Sequence, residues 1–121
     1  MDDLYAVRQY DEQTLVFFRN SSLMNPADIE RVRSGLLHMV EEEKRTHLVL
    51  DFHRVQFISS PVIGILLTLH KRFASPPAAG AKGGASLVLC GVGQRLLDLL
   101  KISKLDRLLT IKPTRKDALR K

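Results

Sequence analysis

Twice between positions 47 and 101 the hydrophobic pattern changes its period, and that alternation restricts the fold more than any other property of the chain. His47-Leu48-Val49-Leu50-Asp51-Phe52 is a short, nearly continuous apolar run of the kind that forms a strand, and Gln56-Phe57-Ile58 follows after a polar break. From 61 to 73 the spacing becomes helical, with Val62, Ile63, Leu66, Leu69 and Phe73 on one stripe. Ser86-Leu87-Val88-Leu89-Cys90 returns to a buried strand, Gly91-Val92-Gly93 makes a turn, and residues 94–101 form a helix rich in leucine. Strand, helix, strand, helix is the rhythm of an α/β chain.

The flanking segments extend this pattern. Residues 4–9 and 14–19 form two antiparallel strands across Tyr10-Asp11-Glu12-Gln13, and the β-branched and aromatic run Thr14-Leu15-Val16-Phe17-Phe18 implies burial on both faces. Asn25 caps a helix that opens on Pro26, with Asp28 and Glu30 complementing its positive end. Ile29, Val32, Leu36, Met39 and Val40 form its inward face, and Lys44 and Arg45 offset the Glu41-Glu42-Glu43 run at its C-terminus. Residues 74–85, with two prolines and three glycines, are a mobile loop within one domain covering 1–121. A short strand over 108–111 and a capping box of Thr114 with Asp117 opening a final helix complete the chain.

The residues exclude most enzyme chemistry. Cys90 has no second cysteine to pair with and sits in an apolar strand, so it reads as core in a reducing compartment. His38, His47, His53 and His70 show no spacing that would hold a metal, and there is no Gly-x-Ser-x-Gly elbow. Gly91-x-Gly93 lacks the third glycine of a dinucleotide fingerprint, Leu96 standing in its place, and Gly80-Ala-Lys-Gly-Gly lacks the ending of a phosphate loop. Residues 62–69, the longest apolar stretch, are too few to cross a bilayer, and no leader is visible, so a cytoplasmic location without a membrane span is expected.

The net charge of +6 suggests an acidic partner until its position is read. Residues 1–100 are balanced, with eleven basic and eleven acidic side chains, whereas residues 101–121 carry eight basic and two acidic ones. The whole excess belongs to the C-terminal segment, where it either solvates the final helix or binds an anionic surface through residues 112–121. The absence of tryptophan argues against a stacking platform for nucleic acid.

One stretch goes beyond this description: Leu48-Val-Leu-Asp-Phe-His-Arg-Val-Gln-Phe-Ile-Ser-Ser-Pro-Val-Ile-Gly-Ile-Leu-Leu67. It resembles a STAS domain, the fold of bacterial anti-sigma factor antagonists. Leu87-Val-Leu-Cys-Gly-Val, the leucine-rich helix, Ile102-Ser-Lys-Leu-Asp-Arg-Leu-Leu109 and Asp117-Ala-Leu119 continue the likeness in the family's order. The resemblance implies a mixed sheet flanked by helices in the order β-β-α-β-α-β-α-β-α. It also implies a non-enzymatic, cofactor-free binding module in a partner switch. Its partner would be an anti-sigma factor or GHKL-type serine kinase, to which any ATP and magnesium would belong.

In the family's motif an Asp precedes the phosphorylated serine, and Ser-Gly follows it. Laid on this chain, Ser60 takes the acceptor position with Ser59 as the fallback, while Ser59, Pro61 and Val62 replace the Asp, Ser and Gly, and Gly64 matches a later glycine. Ser59, Ser60, Pro61, Val62 and Ile65 are the residues expected to meet the partner. The surplus apolarity of the 62–73 helix either is buried by neighbouring elements or leaves some of Val62, Ile65 and Leu69 free for it. Ser60 is also placed to cap that helix by accepting from the Val62 or Ile63 amide. A constitutive scaffold that is never phosphorylated is the alternative.

Overall fold

The computed structural model describes residues 4–10, 13–43, 45, 47–74 and 86–119. The two N-terminal runs form an antiparallel hairpin, β1 (Tyr5–Tyr10) against β2 (Gln13–Phe18), with Tyr5 opposite Phe18 and Tyr10 opposite Gln13. Because β2 is apolar on both faces it takes an inner position, with β4 (His47–Asp51) parallel to it on its other edge. β6 (Ser86–Cys90) and β7 (Thr110–Lys112) extend the sheet in parallel, giving the order β1-β2-β4-β6-β7. With β1 antiparallel the sheet is mixed.

Period-2 alternation divides the strands between two faces. On one, Val16, Phe18, Leu48, Leu50, Leu87 and Leu89 pack against α1 (Pro26–Glu41), α2 (Ser60–Ala74) and α3 (Gln94–Ile102) in one continuous core. On the other, Leu15, Val49 and Cys90 meet Ala118 of α4 (Arg115–Ala118). Burial pushes the Cys90 thiol up to about 12, with the Asp51 carboxylate adding to the shift and Arg115 opposing it, so the residue is inert as a nucleophile.

The helix signals act as written in the sequence. Asn25 Oδ1 accepts from the Ala27 and Asp28 amides at 2.8 and 3.3 Å, and α1 buries Ile29, Val32, Leu36 and Met39, with Val40 at the rim. Arg45 offsets Glu43, whose carboxyl its hydrogen bond draws below the usual range. Glu41 is met instead by Arg72 of α2, and Lys44 lies outside the described residues. Thr114 Oγ1 accepts from the Asp117 amide at 3.2 Å, opening α4. Apart from Ala74, the expected loop over 74–85 also lies outside them.

Three features depart from the sequence reading. Ser22–Leu23, assigned to no element, is a strand, β3, and pairs in parallel with β5 (Phe57–Ile58) as a separate two-stranded ladder. The strand expected over 108–111 starts later, because Leu105–Arg107 is a 3-10 turn whose Leu105 carbonyl accepts from the Leu108 and Leu109 amides. Finally, not all of the basic C-terminal segment is solvating. Arg115 reaches Asp51 Oδ2 with Nε at 2.9 Å and Nη2 at 2.8 Å, and its guanidinium lies 5.0 Å from the centre of the Phe17 ring.

Asp51 is 3% exposed, and its other carboxylate oxygen accepts from the His53 amide at 2.8 Å. Removing the guanidinium therefore strands a buried charge, although water reaches Arg115 and moderates the loss. Arg115→Ala should lower stability by about 2 kcal/mol in urea unfolding, and Asp51→Asn in the same chain should recover part of it. Equal stability of Arg115→Ala and the wild type would show that the pair is incidental.

Candidate functional site

The chain reaches α2 through a tightly determined turn. At the end of β4 the Asp51 side chain holds the His53 amide, and the Val55 amide donates to the Phe52 carbonyl at 2.9 Å. Gly91, at φ +67°, passes beneath this turn: a Cβ built there would lie 2.9 Å from the His53 N, Cα and Cβ atoms. Beyond the turn the Gln56 and Phe57 amides donate to the Ser21 carbonyl, and the Ser59 amide donates to the Leu23 carbonyl at 3.2 Å. The β3–β5 ladder thus fixes the point where α2 starts.

At that point the two serines differ. Ser60 and Pro61 are exposed, whereas Ser59 is half-buried, with its Oγ enclosed and without a hydrogen-bond partner. The helix starts one residue earlier than the capping argument required. Ser60 is already helical, Ser59 stands in the cap position, and the Val62 amide donates to the Ser59 carbonyl at 3.0 Å. The Ser60 hydroxyl makes no bond to the Val62 or Ile63 amide. Pro61, which has no amide hydrogen and a helical φ, is accommodated within the first turn.

Two expected partner residues need correction. Val62 and Ile65 are 3% and 5% exposed, and Leu69 is buried as well, all three inside the main core. The surplus apolarity of α2 is absorbed by α1 and the strands beneath it, so none is left for a partner at these positions. Gly64 is exposed with nothing within 4 Å of a Cβ position, so packing against the sheet does not require a glycine there. It lies with Arg33, Leu37, Pro61, Ile65 and Thr68 around a groove of about 290 Å³ between α1 and α2.

The β3–β5 ladder that leads into Ser60 and the start of α3 carry exposed apolar and basic side chains. Phe57 and Met24 are exposed at the ladder, and the Arg95 guanidinium, from the first turn of α3, sits 4.8 Å from the centre of the Phe57 ring. Neither α2 nor α3 has a carboxylate in its first turn, so both positive helix ends are uncompensated by a local acid. Arg19 and Arg54 flank a polar cleft of about 520 Å³ with Asn20, Ser21 and Ser22 on the ladder side. Such a surface can bind an acidic or apolar partner, and a dianion placed on Ser60 would offset much of its positive charge. Among the described residues no cluster of His, Cys, Asp or Glu could hold a metal ion.

Sequence reasoning missed Met24, Phe57 and Arg95. A signal existed for Phe57, since alternation puts it on the side of the strand opposite Ile58. None existed for Arg95, whose role depends on α3 starting beside β5.

The STAS domain matches this chain over residues 6–118. Among solved structures, an anti-sigma factor antagonist domain protein from Planctomyces limnophilus superposes with a TM-score of 0.77 at 18% identity, covering 94% of this chain and 92% of that one. An anti-sigma factor antagonist from Mycobacterium paratuberculosis gives 0.76 at 17%, covering 94% and 88%. The Bacillus cell fate determinant SpoIIAA in its phosphorylated form gives 0.68 at 15%, covering 94% and 95%. At these identities the likeness is one of fold.

Proposed function

The chain belongs to the STAS domain family, a family of non-enzymatic domains, and from that premise we propose that it is an antagonist-type binding module whose partner is released when Ser60 is phosphorylated. It acts in the cytoplasm as one domain, without a cofactor of its own. Its partner is an anti-sigma factor or a GHKL-type serine kinase.

The observation that carries this reading is the contrast between the two adjacent hydroxyls: Ser60 is exposed at the start of α2, and Ser59 Oγ is enclosed. A kinase can therefore transfer a phosphoryl group to Ser60 without disturbing the core. The charge added, about −1.5 to −2, falls beside the positive end of the helix, where the fold tolerates it. The cost falls on the partner. An acidic or apolar surface that seats against Phe57, Met24 and the arginines meets like charge and a strongly hydrated group in their midst.

Ser60→Asp should weaken binding to the cognate kinase at least ten-fold in a pull-down, with a melting temperature close to that of the wild type. After incubation with that kinase and ATP, intact mass should show one added phosphate on wild type and Ser59→Ala, and none on Ser60→Ala. Equal binding by wild type and Ser60→Asp would overturn the switch. Pro61, in place of the family's serine, favours the second reading, a constitutive scaffold. Absence of phosphate from the wild type would establish that one instead.

A further inference from the structure

The charge excess of residues 101–121 is not confined to the terminal tail, because three of its cations stand with two exposed apolar side chains on one corner of the fold. α3 ends at Ile102, and the Ser103 amide donates back to the Leu99 carbonyl at 3.1 Å. Lys104, in the left-handed region at φ 63°, then redirects the chain into the 3-10 turn. This reversal points Leu105 and Leu109 into the core and leaves Ile102 and Leu108 outside, 78% and 49% exposed.

Lys101, Lys104 and Arg107 are exposed around them, and none of the three forms an ion pair among the described residues. Asp106 is the only acid in this stretch and is half-buried. An isolated exposed apolar residue needs no explanation. Two of the five large ones among the described residues, six positions apart and accompanied by three cations, do.

We propose that this corner docks on an anionic lipid bilayer, with Ile102 and Leu108 entering the headgroup region and Lys101, Lys104 and Arg107 against the lipid phosphates. The shape and the chemistry both favour a bilayer. At 78% exposure the Ile102 side chain is largely uncovered by its neighbours, and a lipid surface can receive it without a pocket. Stable attachment to a bilayer takes two signals, apolar insertion and basic charge, and both are present. The topology makes docking compatible with binding elsewhere. β7 follows the 3-10 turn and runs parallel to β6, so the corner occupies the end of the sheet opposite the one where α2 and α3 begin. Ser60 is left facing away from the lipid.

The test is co-sedimentation of the full chain with vesicles of phosphatidylcholine alone and of phosphatidylcholine mixed equally with phosphatidylglycerol. Wild type should bind the mixed vesicles at low salt and not the zwitterionic ones. The triple variant Lys101→Gln, Lys104→Gln, Arg107→Gln should bind about 100-fold more weakly, from roughly five-fold per cation, and Ile102→Ser about ten-fold more weakly. Both alter exposed positions, and thermal unfolding of each variant should give a midpoint close to that of the wild type. Lys112→Gln with Lys116→Gln should retain most of the binding, and Ser60→Asp should retain all of it, which separates this proposal from the switch. Unchanged binding by the triple variant or by Ile102→Ser overturns it. So does an absence of vesicle binding with capture by poly-glutamate instead, which would assign the corner to an acidic protein.

Discussion

Gly91→Ala should destabilise the fold by about 3 kcal/mol or more, while Gly93→Ala, two residues away, changes stability by less than about 0.5 kcal/mol. The two glycines of the Gly91-Val92-Gly93 turn look equivalent in the sequence and are not. At Gly91 the backbone is left-handed, at φ +67°, which costs a residue with a side chain about 1 to 2 kcal/mol by itself. The added methyl would also press on the His53 backbone at 2.9 Å, and a backbone cannot rotate away as a long side chain can. The His53 amide is held by Asp51, which in turn holds Arg115, so a displacement there loosens the attachment of α4 as well.

At Gly93 the backbone is extended, at φ −74°, and nothing lies within 4 Å of a Cβ position. Urea unfolding of the two variants side by side decides the matter. Equal midpoints would mean that the crossing of the two turns does not hold the site. Because His53 lies in the segment that delivers Ser60, Gly91→Ala should also weaken partner binding, whereas Gly93→Ala should not.

Phe18→Ala should cost about 4 kcal/mol, within the range for emptying a buried aromatic site. Phe18 is 1% exposed at the end of β2, stacks on Phe52 with ring centres 4.9 Å apart, and meets the edge of Tyr5 at 6.3 Å. Phe52 leads from β4 into the turn that precedes β5 and α2, so these rings lie at the end of the sheet from which the chain passes to α2. Truncation leaves a cavity that the rigid sheet cannot close, and it also removes the ring–ring contacts. Phe18→Leu should lose less than half as much, since it fills most of the volume. Thermal and urea unfolding of both variants test this, and a loss below about 1 kcal/mol for Phe18→Ala would show that the site collapses freely.

Much of the fold was legible in the chain because its signals are local. Asn25-Pro26 and Thr114 with Asp117 open helices through contacts within three residues, and α1 buries the stripe its spacing predicts. The strand at 47–51 was evident from a continuous apolar run. By contrast, the burial of Val62 and Ile65 depends on how much of α2 its neighbours cover, which no period within α2 reports. β3 escaped because two residues carry no periodicity, and they become a strand only when β5 lies beside them.

The same division applies to the site. The position of Ser60 at the start of an apolar helix was readable from Ser59-Ser60-Pro61 and the stripe that follows. Its exposure, the enclosure of the neighbouring Ser59 hydroxyl and the company of Phe57, Met24 and Arg95 were not, since they follow from the meeting of β3, β5 and α3. By itself the sequence determined the order and type of the main elements, the lone reduced cysteine and the segment that holds the surplus charge, because these depend on residue identity and on spacings of a few positions. Only the tertiary structure decided which serine faces outward, that Arg115 closes on Asp51, and that Ile102 and Leu108 are left exposed with Lys101, Lys104 and Arg107. The physical reason is that burial and charge pairing belong to surfaces brought together from distant parts of the chain, and local periodicity carries no record of which surfaces will meet.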